Sequence, residues 1–84
     1  MRSELVVLDS ARKRGYSDED MLHVVAFAIQ IYAQDDGMAM HIGPDTARRM
    51  MEVGTIELRD GRTVIAHSMR PPRSTYVNPP DSRR

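Results

Sequence analysis

Apolar positions in the first fourteen residues fall at Leu5, Leu8 and Ala11, one stripe of a helix over 3–14. Basic residues fill its last turn and Gly15 supplies the C-cap. The Val6-Val7 pair also suits a strand. Ser17 then opens Ser-Asp-Glu-Asp, an N-cap hydroxyl followed by acids where orphan amides and the helix dipole favour them. Met21, Leu22, Val25 and Ala28 continue at helical spacing, so a second helix is predicted over 18–28. From Ile29 the period changes to two: Ile29, Ile31 and Ala33 alternate with Gln30, Tyr32 and Gln34. Asp35-Asp36-Gly37 reads as a hairpin turn, and Met38, Met40 and Ile42 alternate in the returning strand. Gly43-Pro44-Asp45 predicts a second turn, Arg48 to Leu58 a third strand, and Asp60-Gly61 a turn into a fourth, Arg62 to Met69. Pro71-Pro72 ends that strand, because proline cannot donate to a ladder. The pattern predicts an α+β fold: two N-terminal helices packed on a four-stranded antiparallel sheet. The expected division is one domain over 1–70 and a Pro/Arg-rich tail over 71–84.

Eighty-four residues allow a single small domain, with a core modest enough that a partner or second copy would add useful burial. With no cysteine, thiol catalysis, disulfides and cysteine-ligated zinc are excluded. No apolar run approaches the roughly 18 residues of a membrane span, so a cytoplasmic protein without membrane contact is expected. The formal net charge of zero conceals an uneven layout. Residues 1–15 carry +2, residues 16–57 carry −6 and residues 59–84 carry +4. Eleven of the twelve bases are arginine, the side chain suited to planar recognition of phosphate and carboxylate, although GC-rich coding gives the same bias. Basic ends around an acidic middle favour an anionic ligand at the ends.

The candidate chemistry lies mainly in the second half. His67 sits in the last predicted strand, where a period of two gives it one face with Thr63, Ile65 and Met69. A lone strand histidine serves as a hydrogen-bonded structural residue or as a general acid/base. Glu52 lies mid-strand between Met50-Met51 and Val53-Gly54. It either faces solvent, the simpler arrangement, or sits partly buried with a partner; burial raises its pKa, and pairing with arginine lowers it. Arg70 and Arg73 bracket Pro71-Pro72, with Tyr76 beyond. Two guanidinium groups on stiff prolines can clamp a phosphodiester while an aromatic stacks on a base; the alternative is a solvated tail. His23 and His41 match no metal-ligand spacing, so neither a metal nor another cofactor is expected.

Several segments together resemble a family. Ala11 to Asp20, Ala-Arg-Lys-Arg-Gly-Tyr-Ser-Asp-Glu-Asp, is similar to the basic-Gly-hydrophobic-Ser-x-acid junction of BrnT-like toxins, within the RelE-type superfamily of toxin–antitoxin ribonucleases. Ile42-Gly43 and Met51-Glu52-Val53-Gly54 resemble that family's "I-G" and "L-E-V-G" strands, and His67-Ser68-Met69-Arg70 with Tyr76 its closing strand and tail. The chain departs from the pattern in its helix-like Leu5–Leu8 opening and in Arg14, where histidine is common. The resemblance implies a toxin that cleaves RNA without a metal and is paired with an antitoxin-like protein encoded nearby. It implies that Lys13 and Arg70 hold the scissile phosphate and that Glu52 or His67 moves protons. The expected site lies where the last strand meets the tail: His67, Glu52 and Arg70 for catalysis, with Lys13, Arg14, Arg73 and Tyr76 binding RNA. A homodimer would also cover apolar surface. The competing reading is a non-catalytic α+β module that docks a protein partner, favoured by the zero net charge.

Overall fold

Strand β1 (Val6–Val7) opens the computed structural model, which describes residues 5–73. There follow α1 (Asp9–Arg12), α2 (Asp18–Ala26), β2 (Gln30–Ala33), β3 (Met38–Pro44), β4 (Met50–Glu57) and β5 (Thr63–Met69). The strands form one mixed sheet in the order β1-β5-β4-β3-β2. The α+β class and the antiparallel run β2 to β5 match the sequence pattern. The sheet nevertheless has five strands rather than four, and β1 pairs with β5 in parallel.

That fifth strand interrupts the first predicted helix, of which only Asp9–Arg12 is helical. Val6 and Val7 are β-branched and stiff at χ1, and they lie beside Val64 and Ile65. Leu8 N–H still donates to Ile65 O before α1 begins, so the helix keeps a single turn. Beyond β1, the outer edge of β5 would carry unpaired carbonyls, and the α1 segment satisfies them. Ser10 Oγ donates to Ala66 O at 2.8 Å and Arg14 Nη1 donates to Ser68 O at 3.1 Å.

Helix α2 starts as expected, with Ser17 Oγ accepting from Asp20 N at 3.1 Å. It ends at Ala26, two residues early, as the chain turns towards β2. Met21 and Val24 are its buried residues and join Val7, Ala11, Met51, Val53 and Ile65 in the core. Gly43 makes this approach possible: a Cβ there would lie 2.8 Å from Ala28 Cα, a backbone atom with no room to give.

Two boundaries move for local reasons. The predicted Gly43-Pro44-Asp45 turn falls later, because Gly43 and Pro44 continue β3 and the reversal occupies residues 45–49. Asp45 Oδ1 accepts from Ala47 N and Arg49 N there, and Arg48 takes φ 68°. In β5, Gly54 pairs with His67 but Thr55 pairs with Ile65, so Ala66 is the extra residue of a bulge. The bulge splits the expected face: Met69 stays with His67, but Ile65 moves to the other side. Ile65 and Ser68 point towards the helices, whereas His67 shares the opposite face with Glu52, Gly54 and Met69.

Candidate functional site

Glu52 and His67 occupy neighbouring central strands, β4 and β5, two residues apart in register on the helix-free face. The pleat alone gives Glu52 its direction: Met51 and Val53 point into the core, so the residue between them points away. Gly54 keeps the space beside it narrow. A Cβ there would sit 3.2 Å from His67 Cβ and 2.6 Å from Met38 Sδ, so the histidine packs directly over β4.

The solvated alternative for Glu52 does not hold, since its side chain is wholly buried. His67 Nε2 donates to Oε2 at 2.7 Å. Arg73 N donates to Oε1 at 2.9 Å, and its guanidinium donates to Oε2 from Nη2 at 2.9 Å and from Nε at 3.1 Å. Burial pushes the Glu52 pKa up, but the Arg73 amide and guanidinium and the His67 bond outweigh it. The carboxyl therefore stays below its ordinary range. Glu52 is an ionised anchor. Its two partners reach the surface, with His67 21% and Arg73 47% exposed.

A carboxylate only accepts hydrogen bonds, so Nε2 carries a proton, and in the neutral tautomer the lone pair is then on Nδ1. The cluster thus offers an oriented base beside a half-exposed guanidinium. Residues 71–73, the first of the Pro/Arg-rich tail, help build it: Pro72 is buried and Arg73 is bound to the sheet.

Arg70 goes elsewhere. Its guanidinium lies on the helix side, where Nη2 contacts the Asp45 carboxylate, Asp20 Oδ2 at 3.3 Å and Met51 Sδ at 4.0 Å. It also stacks 4.6 Å from the centre of the Tyr16 ring. Asp45 is fully buried and held below its ordinary pKa: burial raises it, but the Arg49 and Ala47 amides and the Arg70 charge prevail. Asp20 is lowered chiefly by the Thr46 hydroxyl and amide, with bonds of 2.5 and 3.0 Å. The expected placement of Arg70 beside His67 is therefore replaced by a lock joining α2, the 45–49 reversal and the end of β5.

The two basic segments do meet, through backbone contacts. Arg14 binds Ser68 O, and Tyr16 Oη donates to Arg70 O at 3.2 Å. Lys13 closes α1 at the surface. Tyr76 lies outside the described residues. Sequence reasoning did not propose Arg48 and Arg49, which precede β4 at the sheet end from which Arg73 departs. Their signal was present, as the only bases in the acidic middle. His23 Nδ1 bonds Pro44 O at 2.8 Å and His41 Nε2 bonds Thr55 Oγ1 at 3.0 Å; burial lowers the His41 pKa. Among the described residues, no helix is long and apolar enough to cross a membrane. Compared with family models, curated proteins and solved structures, the chain matches none.

Proposed function

We propose that the chain is a metal-independent endoribonuclease, the toxin half of a toxin–antitoxin pair. His67 accepts the proton, Arg73 binds the phosphate and Glu52 positions both. The observation that carries this reading is the buried Glu52 carboxylate bonded at once to a part-exposed imidazole and a half-exposed guanidinium. The likeness of the Met51–Gly54 and His67–Arg70 segments to BrnT-like toxins supports it from the sequence side.

RNA supplies its own nucleophile, so the protein needs only to place the strand, move a proton and stabilise charge. His67 Nδ1 takes the proton of a ribose 2′-hydroxyl as that oxygen bonds to phosphorus. The bond from phosphorus to the 5′-oxygen breaks, and water protonates the departing oxygen. Arg73 faces the charge that builds on the non-bridging oxygens. Glu52 acts through His67 by holding Nε2–H, which fixes the tautomer the reaction requires.

The test is cleavage of single-stranded RNA in EDTA, with product ends analysed. Wild type should leave 2′,3′-cyclic phosphates. His67→Ala should lose about 10²–10⁴-fold in rate, the usual contribution of a general base. Arg73→Ala should lose up to about 10²–10³-fold, the scale of one oxyanion donor. Co-expression of the neighbouring antitoxin-like protein should relieve growth arrest. No cleavage by wild type, or equal rates in all three proteins, sinks the proposal and leaves the non-catalytic protein-binding module.

A further inference from the structure

The 45–49 reversal between β3 and β4 holds an arginine where the backbone favours glycine. Arg48 takes φ 68°, and the other positive-φ positions described are Gly15, Gly37 and Gly61. A residue with a Cβ is disfavoured there, because the side chain crowds its own backbone. The fold recovers nothing from the exposed side chain in return. The side chains of Arg12, Arg14, Arg49, Arg62, Arg70 and Arg73 each make a hydrogen bond or ion pair. Those of Arg48 and Arg59 make none among the described residues.

Arg48 lies at the sheet end where the candidate site opens. The register pairs Met50 with Pro44 and Glu52 with Met69, so the reversal and residues 70–73 leave the sheet at the same end. Arg48 precedes Glu52 by four positions, at most ~14 Å of chain. Arg59 is the matched cation at the opposite end. It lies beyond Glu57, which is ~17 Å from Glu52 along β4. The two ends also differ in charge. The connections beside Arg48, residues 45–49 and 70–73, carry Arg48, Arg49, Arg70 and Arg73 against Asp45 alone. Those at the other end, 34–37 and 58–62, carry Asp35, Asp36 and Asp60 against Arg59 and Arg62. An anionic chain is drawn to the first end and not to the second.

We infer that Arg48 binds an RNA phosphate neighbouring the scissile one, so that the 45–49 reversal extends the substrate track beyond Arg73. The inference rests on the RNA reading of the Glu52–His67–Arg73 cluster, and it assigns that cluster an oligonucleotide substrate. An exposed guanidinium presents a planar fork of donors that matches the non-bridging oxygens of a phosphate. Such a contact carries no base information, so Arg48 sets affinity and register on strands of any sequence. It is a positioning residue and does not touch the reacting atoms.

Binding is read by fluorescence anisotropy on a 2′-O-methyl oligoribonucleotide of about ten nucleotides, which lacks the nucleophile and is not cleaved. Cleavage is read on the matching RNA. Arg48→Gly suits the left-handed turn, so its urea midpoint should be no lower than that of wild type. Its dissociation constant should rise about 5-fold, the upper range for an exposed ion pair. The slope of log affinity against log salt should become shallower by ~0.7, one phosphate contact on a single strand. Arg48→Lys should restore most of the affinity, because it returns the charge to the same strained position. Arg59→Ala should bind as wild type does. In cleavage, Arg48→Gly should raise KM more than it lowers kcat, and more on the oligomer than on a dinucleotide with a single phosphate. Wild-type affinity in Arg48→Gly, no recovery in Arg48→Lys, or an equal loss in Arg59→Ala overturns the inference and leaves the ribonuclease reading standing. A wild type that binds the strand without cleaving the RNA sinks that reading alone, and one that does not bind sinks both.

Discussion

Two carboxylate–arginine clusters lie on opposite faces of β4, and they are built inside out relative to one another. On the helix side the arginine is central: Arg70, 18% exposed, is enclosed by Asp45, Asp20 and the Tyr16 ring. On the other side the carboxylate is central: buried Glu52 holds His67 and Arg73 at the rim. A largely covered cation held by two anions has its charge already matched. A buried anion presents its partners to solvent. The same ion-pair chemistry thus serves as a lock or leaves polar groups open to solvent according to which partner occupies the interior.

The largest expected effect breaks the lock. Arg70→Ala would leave Asp45 buried without its cation, and removing one partner of a buried pair typically costs about 3–5 kcal/mol. Urea unfolding should show that loss. On the proposed ribonuclease reading, cleavage per folded molecule should hold, because Arg70 does not face His67. A stable Arg70→Ala protein with abolished cleavage would reverse the roles of the two clusters.

Glu52→Gln is the matched change on the other face, and it should cost less. The groups left behind, the His67 imidazole and the half-exposed Arg73, both reach solvent, so about 1.5–3 kcal/mol is expected, the scale of hydrogen bonds to a charged group. Acidification sharpens the contrast. Glu52, Asp45 and Asp20 all have folded pKa values below their ordinary ones. Their stabilisation is therefore fully present above the unfolded values of roughly 4 and is lost as pH falls through the folded ones. Stability measured from pH 7 to pH 3 should drop on the acid side for wild type. The drop should be shallower for Glu52→Gln, which removes one of the three groups. Identical acid limbs would mean that the Glu52 carboxylate contributes nothing specific to the folded state.

The uneven legibility of the two clusters has a physical basis. His67, Glu52 and Arg73 were each visible in the sequence because a titratable or cationic residue stood out in an apolar or proline-rich setting. Their grouping was expected from the family resemblance alone; the contacts themselves depend on the β4–β5 register. The bulge at Ala66 shifts that register without marking the sequence. The lock was less legible still. Asp45 read as an ordinary turn residue and Asp20 as a helix-start acid, roles that both also fill. Nothing in the local sequence shows that Arg70, eighteen residues beyond Glu52, turns back under α2. At the start of the chain, Val6-Val7 fitted both periods. Pairing with β5 decided between them, and that is a tertiary fact.

The smallest expected effect separates the two ways in which Tyr16 supports the lock. Its ring lies 4.6 Å beneath the Arg70 guanidinium, while its hydroxyl donates to Arg70 O at 3.2 Å. Tyr16→Phe removes only the hydrogen bond, a long one between neutral groups, and should cost at most about 0.5–1 kcal/mol. Tyr16→Leu also removes the π face, whose attraction for a partly desolvated cation is worth about 0.5–2 kcal/mol. The difference between the two variants therefore reads the stacking term. In an Arg70→Ala background that difference should shrink, because the ring no longer has a cation to hold. A double-mutant cycle by urea unfolding measures this directly. An unchanged difference in that background would mean that Tyr16 acts through packing on the core alone and that the two carboxylates hold Arg70 without it.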